Sequence, residues 1–238
     1  IDVTTATGGD IHFTGGDANA FAQLGHGGRD SSGNMGDDGS GNAAVSKITV
    51  NSGGAIAFAG GTTGSNWGQQ EAYAQLGHGG YQSSGNHLGD IDVDAIGNID
   101  FTAGDSYRTF TQLGHGGQRA RGDHSGDIEV DTTTGAINFT GGGRNEAYAQ
   151  LGHGGYDADN LNGGGLWPNV PTGSPGNSGN ITVNAAGNIQ LLAGDENSYV
   201  HFGHGGSYNN GDQTGNVSVT STGGALLMDS RHDNTGGN

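Results

Sequence analysis

The nine residues Ala72-Tyr73-Ala74-Gln75-Leu76-Gly77-His78-Gly79-Gly80 return unchanged as residues 147–155. Residues 20–28 and 109–117 keep the Gln-Leu-Gly-His-Gly-Gly part, and residues 202–206 read Phe-Gly-His-Gly-Gly. The five motif histidines, His26, His78, His115, His153 and His204, stand 52, 37, 38 and 51 residues apart. A repeat of this length announces a solenoid, because each unit can bury its apolar face only against its neighbours.

Two shorter motifs keep step with it. One is Ile/Val-x-Val, beginning at Ile1, Ile48, Ile91, Ile128, Ile181 and Val217. The other is Ile-x-Phe or a relative, beginning at Ile11, Ile56, Ile99, Ile137, Ile189 and Leu226. Both alternate apolar and other residues, the period of a half-buried strand, and glycine-rich turn signals bracket each one. Each unit thus has strands a (Ile-x-Val), b (Ile-x-Phe) and c (aromatic-x-Gln-Leu). The uneven spacing comes from the joins, with long insertions at 29–47, 59–72 and 156–180 and the strands untouched. The expected fold is all-β: a parallel β-solenoid, one domain over 1–238, three short strands per coil, about five and two-thirds coils. Strands a and b of the sixth coil end at Met228, which favours a slice of a longer chain over rods that join end to end.

Composition agrees. Glycine supplies 53 of 238 residues, yet three prolines and no Gly-X-Y period exclude collagen. Net charge is −17 with seven basic residues, so phosphate contacts are scarce and nucleic acid is excluded as a partner. No apolar run is long enough to insert in a membrane. There is no cysteine for a disulfide framework.

Beyond this, the repeat resembles a known family. Residues 72–80 together with Gly-Asp-Ile-Asp-Val (89–93) and Gly-Asn-Ile-Asp-Phe-Thr-Ala-Gly (97–104) look like the repeats of giant bacterial surface proteins. These are the filamentous haemagglutinin-like, two-partner-secreted adhesins. The resemblance implies a right-handed β-helix, an extracellular place on the bacterial surface and a structural or adhesive role. It implies no catalytic residues and no required cofactor. Expected partners are neighbouring copies, the rest of a longer solenoid, and a host surface or glycan. A polysaccharide-degrading β-helix enzyme and a head-to-tail fibre subunit with cation-stabilised rungs are the alternatives.

Four candidate sites follow from the residues. Strand parity gathers the five motif histidines in one column facing inward or lying at a corner. It reads as a hydrogen-bonded ladder, or as a metal candidate with two ligands per ion where three or four are wanted. Asp90, Asp92 and Asp94 repeat one rung on as Asp127, Glu129 and Asp131, a stacked acidic patch whose oxygen ligands would suit Ca²⁺. Aromatics (Phe21, Tyr73, Phe110, Tyr148, Tyr199) and Gln23, Gln75, Gln112, Gln150 and His201 form columns expected to face outward, holding register or offering a lateral contact. Trp67 and Trp167, on insertions, are candidate ligand contacts, and Arg121-Gly122-Asp123 is an integrin-type triplet in a join.

Overall fold

The computed structural model describes residues 1–17, 19–36, 46–61, 71–159, 176–195 and 197–229. Every pairing between its strands is parallel, and each links one coil to the next. The a-motifs stack as a six-stranded sheet A: β1 (Asp2–Thr4), β4 (Ile48–Ser52), β8 (Ile91–Ala95), β12 (Ile128–Thr132), β16 (Ile181–Ala185) and β20 (Val217–Ser221). The b-motifs make sheet B: β2 (Ile11–Thr14), β5 (Ile56–Ala59), β9 (Ile99–Thr102), β13 (Ile137–Thr140), β17 (Ile189–Leu192) and β21 (Leu226–Asp229). Sheet C holds five c-strands: β3 (Ala22–Leu24), β6 (Tyr73–Leu76), β10 (Phe110–Leu113), β14 (Tyr148–Leu151) and β18 (Tyr199–Phe202).

A fourth sheet completes each coil. Sheet D consists of two-residue strands: β7 (His87–Leu88), β11 (His124–Ser125), β15 (Asn177–Ser178) and β19 (Gln213–Thr214). A bridge from Met35 to His87 carries it into the first coil. The coil thus has four strands, where the sequence motifs mark three. A two-residue strand shows no alternation, and its lead residue runs His87, His124, Asn177 and Gln213.

Register is set by identity. Ile48 faces Ile91, Ile91 faces Ile128 and Ile128 faces Ile181, while Phe58 faces Phe101 and Phe101 faces Phe139. A slip of one residue would turn each of these side chains out of the core. The phenylalanines stack face to face, with ring centroids 4.6, 4.4 and 4.4 Å apart from Phe13 to Phe139. At the fifth coil the b-position narrows to Leu191 while the c-position widens from Leu to Phe202. Phe202 turns edge-on to Phe139 at 4.8 Å, so the core keeps its volume by exchanging bulk between facing columns.

The outer face of sheet C overturns an expectation. Tyr73, Phe110, Tyr148, Gln75, Gln112 and Gln150 are fully buried, not outward. The stretch after the Gly-Gly pair folds back across them and brings Tyr81 and Tyr156 onto the ring column. Residues 29–36, 80–90 and 117–127 of these joins are therefore part of their rungs and not free loops. A second small core lies beneath them, separate from the aliphatic one.

Candidate functional site

The motif histidines form the column their spacing predicts, and its bonding can be followed ring by ring. Centroids lie 5.0, 4.8, 4.8 and 4.9 Å apart from His26 to His204, with the planes nearly parallel. The backbone N–H of His26 donates to Nδ1 of His78 at 2.9 Å, and that of His78 to Nδ1 of His115 at 2.9 Å. His115 and His153 repeat the step toward His153 and His204, at 2.9 and 3.2 Å. A ring that accepts at Nδ1 must carry its proton on Nε2. That proton is donated to a corner carbonyl: Gly89 from His115 at 2.7 Å, Gly126 from His153 and Gly179 from His204 at 2.8 Å each.

Both nitrogens of these three rings are therefore occupied by the backbone, and a metal ion could bind only by displacing those bonds. Burial holds the rings neutral. It pushes His78 down to about 4 and His153 to about 3, and it lowers His115 well below the usual range. His78 Nε2 is buried with no hydrogen-bond partner among the described residues.

Glutamine makes a second ladder. Nε2 of Gln112 lies among the carbonyls of His115, Gly152 and Gly154 at 3.1, 3.0 and 3.1 Å. Gln23, Gln75 and Gln150 repeat this in their own coils. Replacing Gln112 with Leu would keep most of the volume and remove the amide from the Gly152 carbonyl, while those of His115 and Gly154 keep the backbone N–H groups of Gly154 and Gly117. The expected loss is about 1–3 kcal/mol by urea denaturation; a loss under about 0.5 kcal/mol would mean the amide bonds are incidental.

Asp and Asn recur at three corners of the coil and accept the next coil's backbone, at the sheet-B corner in alternate coils. Before sheet A, Asp90 Oδ1 accepts the Asp127 N–H at 2.9 Å, and Asp127 Oδ1 accepts that of Asn180 at 2.7 Å. Before sheet B, Asp10, Asn98 and Asn188 accept from Ala55, Ala136 and Ala225 at 2.7, 2.9 and 2.9 Å. Before sheet D, Asn34, Asn86 and Asp123 do the same for Asn86, Asp123 and Gly176.

This divides the acidic patch. Asp90 and Asp127 are corner acceptors, and Asp92 takes a 2.7 Å bond from Lys47 Nζ. Asp94, Glu129 and Asp131 remain as carboxylates toward solvent. Asp94 lies opposite Asp131 across the A sheet. Its pKa is raised by partial burial and then by Asp92 and Asp131. Among the described residues no group of three or more His, Asp or Glu is placed to hold a metal ion. Asp94→Asn is expected to raise Tm slightly, by no more than about 1 kcal/mol of stability, with the gain shrinking in high salt. A fall in Tm on that substitution would mean the carboxylate does something useful there.

The triplet Arg121-Gly122-Asp123 is built into a rung. Gly122 has φ +120°, and Asp123 Oδ1 accepts the Gly176 N–H at 3.1 Å, so the triplet is not a projecting tip. Trp67 and Trp167 lie outside the described residues.

Two groups escaped the motif reading. His87 and His124, in sheet D, stack at 4.7 Å with their Nδ1 atoms 2.8 Å apart, so one proton lies between them. His124 Nε2 is 3.8 Å from Asp159 Oδ2, both side chains being fully buried. Burial pushes Asp159 up to about 7 and His87 down to about 3. The 37-residue interval between these histidines equals that from His78 to His115, the signal that would have found them. The other group is a chain of ion pairs along the lip of sheet C. Arg29–Glu71 (3.1 Å), Glu71–Arg108 (3.7 Å), Arg108–Glu146 (3.0 Å) and Arg119–Asp157 (3.3 Å) tie four coils together.

No family model, curated protein or solved structure matches the chain. Chemically, the repeated polar groups are donors and acceptors for neighbouring coils, and their arrangement builds a stiff stack.

Proposed function

We propose that the chain is a structural and adhesive rod segment of a secreted bacterial surface protein, working outside the cell. The observation that carries this reading is the bonding of the repeat's own signature. Its histidine, glutamine and Asp/Asn side chains are spent on the backbone of adjacent coils. A sequence that repeats its polar side chains for stacking is one selected for reach and stiffness, as in other solenoids. Its partners in this reading are neighbouring coils of the same kind along the axis, and a host surface or glycan met by the outer faces.

Two measurements test it. Antibodies against the chain should label intact cells of the source organism; labelling that needs permeabilised cells overturns the surface location. Incubation with neutral and acidic polysaccharides should release no soluble oligosaccharides. Release would favour a degrading enzyme on the same scaffold.

A further inference from the structure

Where the third coil passes to the fourth, the rod's own bonding leaves three buried polar atoms unmatched. His124 Nε2, Asp159 Oδ2 and Asn177 Oδ1 belong to fully buried residues, and none of these atoms has a hydrogen-bond partner among the described residues. His124 and Asn177 are register partners in sheet D, one rung apart. Asp159 belongs to the same coil as Asn177, and its Oδ2 lies 3.8 Å from His124 Nε2.

One proton lies between the Nδ1 atoms of His87 and His124, which are 2.8 Å apart. If it sat on His87, His124 would carry its own proton on Nε2 and donate it to Asp159, drawing the two atoms to about 2.7–2.9 Å. A carboxyl proton given by Asp159 to Nε2 would close the gap as far. At 3.8 Å neither bond is made, so His124 keeps its proton on Nδ1 and presents a lone pair at Nε2. Two acceptors thus face each other. A water donating to both would hold them about 4.4 Å apart. An ion about 2.0–2.1 Å from each would hold them about 3.4 Å apart at a tetrahedral angle and about 4.1 Å apart when opposed. The observed gap falls in the ion's range.

Neighbouring groups fix these atoms in a ligating pose. Asp159 Oδ1 accepts the Gly122 N–H at 2.9 Å, and His87 sets the tautomer of His124. Asn177 Nδ2 donates to Gln213 Oε1 at 2.9 Å, which leaves its own Oδ1 unbonded.

We propose that this corner binds one divalent transition-metal ion of the zinc type. His124 Nε2 and Asp159 Oδ2 are its two titratable ligands, Asn177 Oδ1 is the third, and water takes the fourth position. The third ligand is an amide, so the set is not a group of three His, Asp or Glu side chains. Asp159 and Asn177 bracket residues 160–176 in the chain, so the ion clips the base of the longest insertion to the coil before it. Closing a loop of that length stabilises the rod through the unfolded state. His115, His153 and His204 do not compete, since backbone groups hold their Nε2 atoms.

The test uses the full chain, freed of metal by EDTA and dialysis, with Zn²⁺ alone as the ligand. Calorimetry should give one saturable site, and Tm should rise with Zn²⁺. Asp159→Asn keeps the shape and the Gly122 bond but removes the charge. It should weaken Zn²⁺ binding by more than about 100-fold, beyond the cost of losing an outer partner. In the parent chain, where no substitution can disturb the fold, ring-nitrogen resonances should place Zn²⁺ on Nε2 of His124 and leave the His153 ring unchanged. The exposed pair of His12 and Asp10, 4.0 Å apart, is the control, and His12→Ala should leave the affinity as it is. No saturable uptake, equal affinity after Asp159→Asn, or resonance shifts at His12 in place of His124 would each overturn the proposal. All components are purified, so the result is independent of whether the rod sits on a cell surface.

Discussion

Gly114→Ala should cost more than about 4 kcal/mol and lower Tm by more than about 10 °C, or leave the chain unfolded. Gly114 is the first glycine of the Gly-His-Gly-Gly corner, with φ +146°, where an L side chain is strained. A Cβ there would also run into the carbonyl oxygen of Gly152 in the next coil. That oxygen cannot retreat, because the backbone around it is bonded to coils on both sides. Gly25, Gly77 and Gly152 meet the same obstacle in their own coils.

Two controls separate strain from collision. Gly33 also has positive φ, +110°, but none of the described residues lies within 4 Å of its Cβ position, so Gly33→Ala should cost only about 1–3 kcal/mol. Gly143 has no positive φ, and its nearest neighbour would be the Asp105 carboxylate at 3.3 Å. Gly143→Ala should stay within about 0.5 kcal/mol of the parent. Urea titration of the three variants decides the matter. Equal losses at Gly114 and Gly33 would mean that close stacking of backbones at the corner is not what requires glycine.

Those two kinds of glycine look alike in the sequence, which illustrates what could be read from it. Periodicity located sheets A, B and C, because Ile, Val, Phe and Leu recur at constant register and face their own kind. It also located the histidine column, since the motif fixes His on one strand parity. The histidines' partners were hidden, because they are backbone N–H and carbonyl groups of other coils. The fate of Tyr73 and Gln75 was hidden for a related reason. Alternation says which side chains share a face, but only the path of residues 80–90 decides whether that face meets water. The Asp/Asn corners were legible in principle: Gly-Asp-Ile and Gly-Asn-Ile recur before both sheets. Net charge drew attention to the carboxylates as a patch, when for Asp90 and Asp127 the relevant property is an oxygen that accepts, which Asn180 supplies equally well.

That equivalence bears on the second large effect, acid unfolding. The rod should lose its fold cooperatively near pH 5, above the range in which ordinary carboxylates titrate. His78, His87, His115, His124 and His153 are 0–2 % exposed. Burial, reinforced by neighbouring rings, holds them below their usual pKa: His78 at about 4, His87 and His153 at about 3, His115 and His124 well below 6.5. The unfolded chain takes up these protons below about pH 6.5 while the native rod refuses them. Stability is therefore fully present above about pH 6.5 and falls as pH drops, by about 1.4 kcal/mol per unit for each histidine. Five of them remove about 10 kcal/mol by pH 5.

Asp159, pushed up to about 7, works the other way. The native state keeps its proton below that value while the unfolded chain sheds it down to about 4, which returns about 2 kcal/mol by pH 5. The net loss, about 8 kcal/mol, matches the whole stability of a typical domain. The sequence itself suggests the variant that tests this, since Asn177 occupies in the next coil the position of His87 and His124. The double change His87→Asn and His124→Asn should move the midpoint of the far-ultraviolet circular dichroism transition down by about one pH unit. A parent midpoint below pH 4, or one that the double variant leaves in place, would assign acid unfolding to the carboxylates instead.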